Sequence, residues 1–88
     1  MHSKQWHVDL FLSEEGGCTH ARARLSTGAA TNLEAVGSAR LNPSDRDVPE
    51  IGDELAAARA LSELAHRLLD VAAGDIEGVT HESVRLER

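Results

Sequence analysis

The stretch "QWHVDLFLSEEGGCTHARARL", residues 5–25, alternates twice about a pair of glycines. Trp6, Val8, Leu10 and Leu12 fall on one side of an extended chain, and Gln5, His7, Asp9 and Phe11 on the other. Ala21, Ala23 and Leu25 repeat the apolar side, with His20, Arg22 and Arg24 opposite them. A period of two with β-branched and aromatic residues specifies half-buried strands. Gly16-Gly17 between them supplies the positive φ of a hairpin turn. Two registers fit: a four-residue loop pairing Ser13 with Cys18, or a two-residue loop pairing Glu15 with Cys18. They differ by a slip of two, so both place Trp6, Val8 and Leu10 on the face of the alanines.

Downstream of the hairpin, Ser26 to Asn32 contains Gly28 and reads as a second turn. Residues 33–41 then alternate Leu33, Ala35, Gly37, Ala39 and Leu41 against Glu34, Val36, Ser38 and Arg40. Alanine and glycine are weak strand formers, and their smallness here calls for an element packed closely over the second and third strands. From Pro49 or Asp53 to Ala73 the period changes to that of a helix. Leu55, Ala58, Ser62, Ala65, Leu69 and Ala72 recur beside Leu61, Leu64, Leu68 and Val71, with Arg59, Glu63, His66, Arg67 and Asp70 as a polar stripe. Gly74 is a natural stop just past the helix. The expected fold is α+β in one domain, β-β-β-α. Strands are expected near 4–12, 18–26 and 32–41, with a helix near 50–73 across one sheet face and a C-terminal arm at 75–88, whose pattern suits a short strand, a short helix or an ordered arm alike.

The chain has 88 residues, enough to bury roughly 60–65% of its unfolded surface around one thin core. That core is aliphatic, with eleven Leu, six Val, two Ile and thirteen Ala beside Trp6 and Phe11. The helix's apolar arc spans about 220°, against the roughly 100° that one sheet face covers. A homodimer is therefore expected, the commonest way to hide such an excess, joined either through the helix flank of Ala57, Ala60, Leu61, Leu64, Leu68 and Val71 or through a sheet edge, with the C-terminal arm as a further contributor. The net charge of −6 is concentrated in residues 50–88 and excludes general attraction to DNA or to a membrane surface. One cysteine, Cys18, permits no disulfide within the chain, and a reducing cytoplasm is the expected setting.

The helix entry, "LNPSDRDVPEIGDELAAARALSEL" at 41–64, crowds Asp45, Asp47, Glu50, Asp53 and Glu54 around the first turn. Ser44 and Asp47 are suited to capping its free N–H groups, Pro49 to its first turn, and the acids to its dipole. A phosphate approaching this end would meet carboxylates, so the usual anion site of a helix start is closed.

The run Asn42-Pro43-Ser44-Asp45…Ile51-Gly52-Asp53-Glu54-Leu55-Ala56…Arg59-Ala60-Leu61-Ser62…Leu64-Ala65 closely resembles a small actinobacterial family of uncharacterised domains. Ala-x-Ala-x-Leu at 21–25, Gly-x-Ala at 37–39 and Asp75-Ile76-Glu77…Thr80-His81 extend the similarity to about residues 4–84. The resemblance implies a three-stranded antiparallel sheet crossed by a helix, similar to double-stranded RNA-binding domains. One dormancy-associated branch is likened in shape to ribosome hibernation-promoting factors. Ribosome or structured RNA is the partner that this implies. No catalytic or binding residue comes with the family.

Lys4, His7, His20, Arg22, Arg24 and Arg40 are expected on the outer sheet face, where they form a candidate RNA- or ribosome-contacting strip. The bland alternative is a solvated face with Asp9 opposite Arg22 or Arg24. His7, His20 and Asp9 offer too few convergent ligands for a metal, and His66–Asp70 has the spacing of a surface pair. Cys18 lies beside the turn with no activating base near it in sequence. No cofactor and no enzyme activity are expected; a binding or regulatory module is, with ribosome or RNA in view. The rival expectation is a homodimeric protein-interaction module with no nucleic-acid role.

Overall fold

The computed structural model describes residues 2–28, 32–42, 48–81 and 86. Three strands, β1 (His7–Glu15), β2 (Cys18–Ser26) and β3 (Asn32–Arg40), form one antiparallel sheet in the order β1-β2-β3. A 32-residue helix, α1 (Pro49–Thr80), lies across one face. The α+β, β-β-β-α architecture expected from the periodicity is the one observed.

The hairpin takes the shorter loop. Gly16 (φ 58°) and Gly17 (φ 75°) both occupy the left-handed region, and Glu15 pairs with Cys18. β1 therefore begins at His7 rather than near residue 4 and runs on to Glu15. Val8 lies opposite Leu25, Leu10 opposite Ala23 and Leu12 opposite Ala21. Across the other ladder Ala21 meets Gly37 and Ala23 meets Ala35. The inner face is thus the alternating set, as the sequence pattern requires.

α1 reaches this face through a ridge of small residues. Ala56, Ala60 and Leu64 are buried against Ala21, Ala23, Leu25, Ala35 and Ala39, with Leu33 and Leu68 packed at the margin. The approach is closest at Gly37. A Cβ built there would collide with the Ala60 amide nitrogen and lie 2.7 Å from the Ala56 carbonyl oxygen. The smallness of β2 and β3 is the space that the helix backbone occupies.

Three expectations are corrected. Ala60 and Leu64 belong to the core, not to an outward dimer surface. The wide Ala/Leu arc left the helix phase open, and the sheet selects the smallest residues. Gly74 does not end the helix, which continues to Thr80 and stops where His81 turns left-handed (φ 61°) and donates its N–H to the Glu77 carbonyl. Of the three forms open to the tail, residues 75–80 take the helical one, as a continuation of α1. At the other end Val48 is the N-cap and supplies no side-chain bond, while Pro49 stands in the first turn. Ser44 and Asp47, suited to capping, and Asp45 beside them lie outside the described residues, as do 82–85, 87 and 88 of the arm.

Candidate interaction surface

The outer face is built by the residues whose neighbours point inward. His20, Arg22, Arg24 and Arg40 are all exposed on it, and exposed Lys4 precedes β1. The register sets their company. Arg24 sits between Asp9 and Glu34, and its Nε lies 3.7 Å from the Glu34 carboxylate. Both side chains are about half exposed, so this pair contributes under about 1 kcal/mol. Its effect on recognition is larger, because two acids neutralise the arginine locally.

Arg22 lies between Phe11 and Val36, with its guanidinium carbon 5.1 Å from the centre of the Phe11 ring. A cation over an aromatic face is a favourable contact. The next row places His20 between Ser13 and Ser38. These two rows line a shallow recess. Arg40, opposite Cys18, stands apart from it at the far end of β3. Counting Asp9, Glu15 and Glu34 against Arg22, Arg24 and Arg40, the outer rows of the three strands balance. The strip is amphipathic rather than basic.

Other candidates are separated by the same ladder. His7 pairs with Ser26 and His20 with Ser13, so the two histidines do not converge on Asp9. His66 Nε2 lies 3.8 Å from Asp70 Oδ2 on the open helix surface. Cys18 is half-buried at the hairpin end.

The inner face carries a second surface. α1 lies over β2 and β3 and barely reaches β1. Val8, Leu10 and Leu12 remain 44%, 39% and 46% exposed, whereas their partners Leu25, Ala23 and Ala21 are at most 4% exposed. Trp6, continuing the row, is also half exposed. Arg59 reaches the β3 edge, so the opposite flank of the Ala56–Ala60–Leu64 ridge is turned toward β1. At 100° per residue that flank carries Ala57, Leu61 and Leu68. Leu61 is exposed and Ala57, Leu68 and Val71 are half-buried, so four of the six residues expected at a dimer surface are available. The apolar strip on β1 is a feature that alternation implied and that only the helix position reveals.

The fold is thus a β-β-β-α module with an amphipathic outer face and an uncovered inner strip on β1. Among the described residues, no helix is long and apolar enough to cross a membrane. The chain belongs to the Rv2632c-like family, whose model matches residues 4–85. It is 54% identical over 83 residues to the uncharacterised protein Mb1767 of Mycobacterium bovis, covering 94% of this chain and 87% of that one. To the uncharacterised protein Rv2632c of Mycobacterium tuberculosis it is 47% identical over 81 residues, covering 92% and 86%. The crystal structure of Rv2632c superposes with a TM-score of 0.84 at 44% identity, over 93% of this chain and 96% of that one.

Proposed function

We propose that this chain is a non-enzymatic cytoplasmic binding module that works as a homodimer, assembled on the inner strip of β1 and the adjoining helix flank. The observation that carries this reading is the exposure of Val8, Leu10 and Leu12 beside a core whose other members are almost fully covered. Contiguous apolar surface of this kind marks an interface in a folded protein. Light scattering on the full chain tests it: a dimer at micromolar concentration supports the reading, and Leu10→Lys restores a monomer. A wild-type monomer at high micromolar concentration would overturn it.

A second reading rests on Arg22 over Phe11. An aromatic ring and a guanidinium beside a recess suit an unpaired nucleotide stacked on the sheet, with Lys4, His20, Arg24 and Arg40 as flanking phosphate contacts. On this reading the partner is ribosome or structured RNA, engaged in stress or dormancy. The balanced charge of the face, with Arg24 held between two acids, weighs against it. Co-sedimentation with ribosomes over a salt series decides, with Arg22→Glu/Arg24→Glu beside the wild type. Phosphate contacts require binding that falls steeply with salt and disappears in the double variant. Unchanged association in that variant would remove this face from consideration.

A further inference from the structure

The hairpin end of the sheet and the first turns of α1 enclose a partly open pocket of about 540 Å³. Its walls are apolar. Ala39 and Leu41 come from the end of β3 and the residue after it, and Val48, Pro49, Ile51 and Leu55 from the helix entry. Ile51 and Leu55 are about half exposed, so apolar surface faces the opening. The volume lies within the roughly 300–1,000 Å³ that small-molecule sites occupy.

The floor carries one polar group. Thr19 pairs with Glu14 on one side and Ala39 on the other, in the row of the inner face nearest the hairpin turn. It is the one buried polar side chain among the described residues, 5% exposed. None of them hydrogen-bonds its hydroxyl. Among the same residues no unpartnered side-chain oxygen is sealed from solvent, so the Thr19 oxygen stays in touch with the pocket that it lines. A buried hydroxyl ordinarily has a partner, and this one offers a donor and two acceptor positions. The pocket is the direction from which a partner can reach it.

Gly52 keeps that oxygen reachable. A Cβ at position 52 would lie 2.8 Å from Thr19 Oγ1, so any larger residue would cover the hydroxyl. The surrounding charges select the class of guest. Glu14 and Arg40 both line the pocket, and Glu50, Asp53 and Glu54 follow in the first turns of α1. Four carboxylates against one guanidinium repel an anion. A cation would surrender its hydration to apolar walls with no buried carboxylate to receive it.

We propose that this pocket binds a small neutral aliphatic molecule carrying one hydroxyl or carbonyl oxygen. The aliphatic body lies against Leu41, Ile51 and Leu55, and the oxygen meets Thr19 Oγ1 beneath Gly52. The site shares no residue with the Val8–Leu10–Leu12 strip or with the Arg22–Phe11 recess, so it stands independently of both readings above.

Octanol and octanoate are suitable probes, because they share a chain and differ in charge. Each is titrated into the isotope-labelled full chain and followed by two-dimensional amide NMR. Octanol shifts the Thr19, Ala39, Gly52 and Leu55 amides saturably, and octanoate binds at least ~10-fold more weakly. Thr19→Val keeps the side chain's shape without its hydroxyl and weakens octanol about 2- to 12-fold, the worth of one hydrogen bond. Gly52→Ala abolishes binding while leaving the fold intact. Shifts that fail to saturate, or that centre on Val8, Leu10 and Leu12, would show adsorption to the exposed strand and overturn the site. Equal binding of octanoate would refute the neutral guest, and an unchanged affinity in Thr19→Val or Gly52→Ala would refute the role of the hydroxyl. The comparison of the two probes is read on the wild-type chain and needs no variant to fold.

Discussion

Gly37→Ala adds one methyl group at the point where helix and sheet touch. The new Cβ would collide with the Ala60 amide nitrogen and lie 2.7 Å from the Ala56 carbonyl oxygen and 2.8 Å from the Arg59 carbonyl carbon. All three atoms are main chain, so no rotamer change relieves the contact and the helix must lift by most of an ångström. Lifting it loosens the whole Ala56–Ala60–Leu64 ridge. Overpacking of this kind costs about 1–3 kcal/mol, and the upper end applies because the obstacle is backbone. Replacing a strand glycine returns about 0.5–1 kcal/mol. The net expectation is a loss of about 2 kcal/mol, or roughly 8–16 °C in Tm for a domain of this size.

Two other glycines isolate the cause. A Cβ at Gly52 meets the Thr19 hydroxyl at 2.8 Å, and one at Gly74 meets nothing within 4 Å. The hydroxyl can turn aside, and a helical alanine gains about 1 kcal/mol over glycine. Gly52→Ala should therefore be near neutral and Gly74→Ala stabilising by about 0.5–1 kcal/mol. Urea unfolding at one fixed protein concentration measures all three. If Gly37→Ala stays within about 0.5 kcal/mol of wild type, the close helix approach is wrong.

Leu64→Ala should cost about 2–5 kcal/mol and Leu61→Ala well under half of that, since Leu64 is 5% and Leu61 39% exposed; equal losses in denaturant unfolding would refute the helix phase. Arg59 and Arg67 donate to the Ser38 and Glu34 carbonyls of β3, so Arg59→Ala/Arg67→Ala should open that edge and carry assembly past the dimer, seen as heavier species in sedimentation. A double variant that stops at two copies would show that the arginines do not protect that edge. Added salt should strengthen self-association, because each copy carries −6 and screening relieves repulsion. RNA or ribosome binding should weaken over the same series, so the sign of the salt response assigns each interaction to its class.

Sidedness was legible in the sequence because a strand's period is two and any slip of two preserves it. The hairpin register was not legible, since both loop lengths satisfied the same pattern and only the pairing of Glu15 with Cys18 resolves it. For the helix the difficulty was excess: with Ala or Leu at most positions, several stripes looked equally apolar. Gly37 holds the deciding information, because its missing side chain selects the smallest ridge to sit over it. Gly74 misled for a related reason. A glycine ends a helix only where the chain turns left-handed, and that turn falls at His81. The sequence put the arginines opposite the inner alanines and Asp9 opposite Arg22 or Arg24; that the acid falls on Arg24, with Glu34 on its other side, depends on the register of both ladders.

Arg59 and Arg67 show how an ordinary feature acquires a role from its setting. In sequence they are members of a polar stripe, with Glu63–Arg67 as a common i,i+4 pair. In the fold the stripe lies along β3, and the same side chains satisfy the carbonyls through which that strand could recruit another. The helix that reaches this edge lies over β2 and β3 and barely meets the opposite strand. Guarding β3 therefore leaves Val8, Leu10 and Leu12 open on β1. The exposed strip and the two arginines are consequences of one placement.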